Sequence, residues 1–156
     1  MASQYETDFY GWTQEQSGKL RKLLTERSNL DIDLENIAEE IDSMGRSDRR
    51  QLVSRLGEID NHLMKLAFSL AWEPRQQWKN SVQGQRRGIG KLLKDSPSLK
   101  PQLDDALVEA HEDALRYFDE AKLIQLNMPE TLPVTCPFEL DQMLDLEWWP
   151  DPRGEQ

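Results

Sequence analysis

The sequence predicts an all-α protein: an elongated helical bundle of about five helices plus a short C-terminal helix, containing an antiparallel helical hairpin. Three observations carry that expectation. Apolar residues recur at helical steps, first as Leu34, Ile37, Ile41 and Met44, then as Leu52, Leu56, Ile59, Leu63, Leu66 and Leu70 at alternating steps of 4 and 3. Prolines and capping-type residues fall between such stripes. No period-2 alternation long enough for a strand occurs, and no internal repeat.

The first expected helix covers 8–27, with Asp8 in its first turn and Trp12, Leu20, Leu23 and Leu24 as its apolar contacts. Asp31 or Asp33 is placed to cap a second, acidic helix over 33–44. Gly45 is read as the stop at its C-terminal end, in a left-handed conformation where a β-carbon is penalised. Ser47 then caps a third helix, 47–72, about 40 Å long at ~1.5 Å per residue. Folded back as a hairpin, this pair brings Arg49 and Arg50 near Glu39 and Asp42.

Pro74 ends the third helix, because it lacks an amide hydrogen and disfavours helix in the residue before it. The fourth, 76–94, carries Trp78, Val82, Ile89, Leu92 and Leu93 in spite of Gly84, Gly88 and Gly90. A turn with two prolines, Pro97 and Pro101, leads into a fifth helix over 100–126, with Leu103, Leu107, Ala110, Ala114, Phe118 and Ala121 inward. A linker with Pro129 and Pro133 precedes the short last helix, 138–144, started by Pro137. The whole reads as one helical domain, 1–150, with a polar tail, 151–156.

Charge is unevenly spread. Residues 1–44 hold 4 basic and 10 acidic groups, and residues 45–72 hold 5 and 3; residues 73–100 hold 7 and 2, and residues 101–156 hold 3 and 14. A basic middle between acidic ends suggests neutralisation between packed helices. With a net charge of −10 the chain repels phosphate at long range, so nucleic acid is not the expected partner. Cys136 is the single cysteine, so no internal disulfide forms and a reducing, cytoplasmic location is expected. Met1–Asp8 does not resemble a secretory signal, and the most apolar stretch, Leu63–Trp72, holds Lys65 and is too short to span a bilayer.

No catalytic constellation or cofactor loop is legible, so neither an enzyme activity nor a cofactor is expected. Gly84, Gly88 and Gly90 have the wrong spacing for a phosphate loop and follow no strand. A helix-turn-helix DNA reader at Gly45 is opposed by the length of the third helix and the acidity of its neighbour. His62 and His111 are the only histidines, each beside an apolar stripe and near Glu58, or Glu109 and Glu112. They offer an alternative function, a metal-binding bundle, although neither spacing matches the Glu-x-x-His of di-iron bundles. Boundary histidines bonded to neighbours are the simpler reading. Cys136 has no local motif that would pair it with a histidine as a nucleophile.

Two features point to a partner. Arg86, Arg87, Lys91 and Lys94 make a basic strip, of which Arg87, Lys91 and Lys94 fall at helical spacing. Trp148 and Trp149 follow a short helix near the tail, where they either fold back over the bundle or anchor another molecule. The expected function is therefore a non-catalytic protein-interaction module; nothing signals a membrane contact or a homo-oligomer.

Read together, Tyr5–Thr13, Asp33–Arg50, His62–Leu66, Gln85–Arg87, Asp95–Leu99, Cys136-Pro137 and Trp149-Pro150 give the chain a resemblance to a family. It resembles the bacterial domain of unknown function 29, well represented in cyanobacteria and proteobacteria. The resemblance covers nearly the full length. It implies an all-helical bundle and brings no activity, cofactor or catalytic residue; His62 looks like a family position.

Overall fold

The acidic helix that begins at Leu34 does not stop at Gly45. In the computed structural model, which describes residues 2–27 and 29–153, one helix runs unbroken from Leu34 to Phe68. The expected hairpin at Gly45 is thus corrected: there is no turn, and Ser47 caps nothing. One mid-helix glycine costs only about 1 kcal/mol against alanine, less than 35 residues of helix with a buried face return.

In chain order the described helices are α1 (Gln4–Thr7), α2 (Phe9–Glu26), α3 (Leu34–Phe68), α4 (Arg75–Asp95), a 3-10 helix (Pro97–Gln102), α5 (Leu103–Tyr117), α6 (Glu120–Gln125) and α7 (Leu140–Leu144). No strand occurs among the described residues, so the all-α class holds. The expected helix 100–126 is three pieces, because Asp119 accepts from the Lys122 amide at 2.8 Å and starts α6 as a new helix. Among the described residues, no helix is long and apolar enough to cross a membrane. The last three residues of the expected tail lie outside the described ones.

The chain packs as two compact units. The first holds residues up to Gln51 together with Lys91–Gln102. Here Gly45 is buried because α2 crosses α3 against it; a β-carbon on Gly45 would run into Thr13 Oγ1 and Gln14 Nε2. Thr13 and Ser17 are the buried residues of α2, both small. The start of α2 is tied to the 3-10 helix: Asp8 Oδ1 accepts from Ser98 Oγ at 2.8 Å, and the Tyr10 amide donates to Ser96 Oγ at 3.0 Å. The acidic face of α3 is partly neutralised by Arg46 and Arg21. Arg46 reaches Glu39 at 2.5 Å and Asp42 at 3.2 Å, and Arg21 reaches both at 3.3 Å. The expected pairing through Arg49 and Arg50 belonged to the hairpin; Arg49 Nε instead donates to Gln102. Ile37 and Met44, expected inward, are exposed, while Ala38 and Gly45 take the buried positions.

This crossing makes a prediction. Gly45→Ala would stabilise a plain helix position, but here it should lower the urea midpoint, and Gly45→Val should cost about 1–3 kcal/mol by overpacking against Thr13. Adding Thr13→Ala should return part of the loss. A Gly45→Ala protein more stable than the parent would contradict the close crossing.

The second unit holds Leu52–Gly90 and the chain from Leu103 onward. Its core is the α3 stripe Leu52, Leu56, Ile59, Leu63 and Leu66, packed with Val82 and Ile89 of α4 and Ala106, Ala110 and Ala114 of α5, all buried. Leu70 and Trp72, expected on the stripe and at a boundary, are half or more exposed, because α3 ends at Phe68. Lys65 stays buried by lying over the Tyr117 ring, 4.6 Å from its centroid. The carbonyls at the end of α3 are closed by distant donors: Arg75 Nη2 bonds Leu66 O, and the Arg153 amide bonds Ala67 O at 2.9 Å.

Candidate functional site

In the second unit, α3 and α5 face a pair of titratable groups toward each other inside the core. Asp60 falls a step of four after Leu56 and three before Leu63, so the same helical geometry that buries the stripe buries its carboxylate, which is fully shielded from solvent. His111 lies in line with Leu107 and Ala114 on α5 and is 2% exposed. Its Nδ1 stands 2.6 Å from Asp60 Oδ2, and its Nε2 2.9 Å from the Pro133 carbonyl. The segment before α7 adds Cys136, whose Sγ lies 3.5 Å from Asp60 Oδ1.

The partners fix the protons. A carbonyl only accepts, so His111 Nε2 carries hydrogen and donates to Pro133. One further proton lies between Nδ1 and Oδ2, and the Cys136 thiol has two acceptors at 3.5 Å, the other carboxyl oxygen of Asp60 and the Phe138 carbonyl. The three groups together carry no net charge wherever the shared proton sits. Burial raises the Asp60 pKa above the usual carboxylate range, opposed by the contacts with His111 and Cys136. Burial, reinforced by the Asp60 carboxylate, pushes the Cys136 thiol up to about 12. The thiol is therefore protonated at neutral pH. It keeps its hydrogen among the acceptors Asp60 and Phe138 instead of being activated by His111, the reverse of what a nucleophilic cysteine needs.

His111 and Cys136 line a groove of about 460 Å³ with Leu107, Val108 and Val134. Val108 and Val134 are 61% and 86% exposed. His62 does not join this group. Its Nδ1 donates to the Glu58 carbonyl of its own helix at 2.7 Å, and burial lowers its pKa against the opposing pull of that bond. Among the described residues, the group able to surround an ion is Asp60, His111 and Cys136. The expected pairing of His62 with His111 is not what the fold assembles. Asp60 and Cys136 are the members of the group that the spacing of histidines and glutamates does not point to.

The basic strip divides. Arg86 points inward: it is 3% exposed, and its Nε donates to Met143 O at 2.7 Å while Nη2 donates to Gln142 O and Trp148 O, both at 3.0 Å. Burial lowers its pKa. Its guanidinium also stacks 4.8 Å from the centre of the Trp149 ring, and the Trp148 ring meets Phe138 edge-on at 5.8 Å. Both tryptophans are half-buried, folded back rather than extended. Arg87, Lys91 and Lys94 are exposed, and no ion pair among the described residues involves them.

The sequence matches the family described as domain of unknown function DUF29 over residues 4–149. The fold is similar to the crystal structure, at 1.45 Å resolution, of an alpha-helical protein of unknown function from Rhodospirillum rubrum. That protein is 29% identical, with a TM-score of 0.71 over 95% of this chain and 93% of the other. None of the curated proteins matches the chain.

Proposed function

The chain belongs to the family of domain of unknown function DUF29, and for it we propose a non-catalytic role in binding an acidic protein partner through Arg87, Lys91 and Lys94. One observation carries the reading: three exposed cations without an ion-pair partner among the described residues lie at helical spacing on one continuous helix, α4, in a chain of net charge −10. In so acidic a protein, cations are readily used to neutralise its own carboxylates, as Arg46 and Arg21 are on α3. A strip left open gives a local attraction for carboxylates. The protonated thiol of Cys136 and the fully bonded His111 speak against a nucleophile–base pair. A protein is favoured over nucleic acid because three cations on one helix do not offset the repulsion of a continuous line of phosphates by the whole chain, whereas a protein needs to bring only a few carboxylates to the strip.

Fluorescence anisotropy with a labelled Glu/Asp-rich peptide and a labelled duplex DNA tests the reading. The peptide should bind with an affinity that falls as salt rises, and Arg87→Glu/Lys91→Glu should weaken it by about tenfold or more. Equal binding by parent and charge-reversed protein, or preference for the DNA, would overturn it. Loss of binding in Trp148→Ala/Trp149→Ala alone would move the contact surface to the tail.

A further inference from the structure

We propose that Asp60, His111 and Cys136 form a binding site for a single zinc ion. Their three candidate ligand atoms, a carboxylate oxygen, an imidazole nitrogen and a sulfur, lie within 4.8 Å of one another. A tetrahedral zinc with bonds of about 2.0–2.3 Å separates its ligand atoms by roughly 3.3–3.8 Å. Binding therefore asks the 2.6 Å contact between His111 and Asp60 to open and separations of up to 4.8 Å to close by about 1 Å, both small side-chain movements. The three donors come from α3, α5 and the segment before α7, so the packing of the second unit holds them rather than one flexible loop.

Two further features suit an ion. His111 would bind through Nδ1 while its Nε2–H keeps its bond to the Pro133 carbonyl. That outer bond is the one that orients metal-bound imidazoles and strengthens them as ligands. The charge balance is also closed. Without the ion the three groups hold two labile protons and no net charge; zinc would displace both, leaving a thiolate, a carboxylate and a neutral imidazole around a doubly charged cation. The site is neutral either way, so loading it buries no uncompensated charge. The groove that His111 and Cys136 line gives an ion its path and leaves room for a water as fourth ligand, and Asp104 and Glu112 on the same groove add carboxylates that draw cations toward it. A mixed nitrogen, oxygen and sulfur set selects zinc over magnesium or calcium.

The test uses the full chain, freed of metal and then titrated with zinc, and separately with cobalt(II) as a coloured substitute. The proposal expects one ion per chain, close to two protons released per zinc in weak buffer, and a thiolate-to-cobalt charge-transfer band. Cys136→Ser keeps a donor for Asp60 and should fold, yet it should lose the charge-transfer band and bind zinc at least tenfold more weakly. Asp60→Asn should also lose stoichiometric zinc, whereas His62→Ala should keep it. No charge-transfer band in the parent, or unchanged zinc binding by Cys136→Ser, would overturn the site. Loss of the ion in His62→Ala would equally overturn this set of ligands.

Discussion

Replacing Asp60 by alanine should cost about 3–5 kcal/mol, because it removes one partner of a fully buried pair. His111 Nδ1 would lose its partner in an apolar surround, and the Cys136 thiol would keep only the Phe138 carbonyl and the Met143 sulfur. Asp60→Asn should be far milder, near or below about 1.5 kcal/mol, because an amide can satisfy both neighbours. Its NH₂ can donate to a neutral Nδ1, its oxygen can accept from the thiol, and Nε2 keeps its hydrogen for Pro133. Urea denaturation of the two variants at neutral pH reads the difference directly. Equal losses for alanine and asparagine would contradict the placement of the protons.

Arg86→Ala should be the second large effect, about 3 kcal/mol, and its damage should be local. The guanidinium holds three backbone carbonyls of the C-terminal segment and stacks on Trp149, and bonds from a charged donor are worth about 1.5–3 kcal/mol each without adding fully. Lysine should not rescue it, since one ammonium cannot span the same fork of acceptors. Limited proteolysis should cut Arg86→Ala between about residues 140 and 153 under conditions that leave the parent whole, and tryptophan emission should shift to the red as Trp148 and Trp149 become wet. A variant as resistant as the parent would show that the segment holds itself.

The helical class was legible because stripes such as Leu52 to Leu66 repeat without a miss, whereas the last helix starts later than Pro137 suggests, at Leu140, where Glu139 and Gln142 form its cap. The hairpin was not, because a glycine between two helical stripes reads the same whether it ends a helix or lets another helix cross it. What separates the two is Thr13, 32 residues away, and its small neighbour Ser17 on the buried face of α2. The break before α6 was hidden in the same way: Leu107 to Ala121 keeps helical spacing through Phe118, and only the Asp119 cap interrupts it.

The candidate site has a signal in the sequence that histidine spacing does not carry. Asp60 sits at the step between Leu56 and Leu63, and Arg86 at the same step between Val82 and Ile89. A charged residue in register with an apolar stripe is carried into the core by the helix, and burial then obliges it to find partners. Which partners could not be read from spacing. Cys136 and the Pro133 carbonyl reach Asp60 and His111 from a segment without periodicity, and the carbonyls of 142–148 that hold Arg86 follow no side-chain pattern. His62, by contrast, looked equal to His111 in sequence and is bonded to its own helix turn.

The proposed role is tested most directly by quantitative capture from lysate of the source organism, with parent, Arg87→Glu/Lys91→Glu/Lys94→Glu and Trp148→Ala/Trp149→Ala proteins as bait, each first shown to be folded. The account predicts that the parent retains one or more acidic proteins, that raised salt releases them, and that the charge-reversed bait loses them while the tryptophan variant keeps them. Identical sets on all three baits, or nothing specific on the parent, would contradict it.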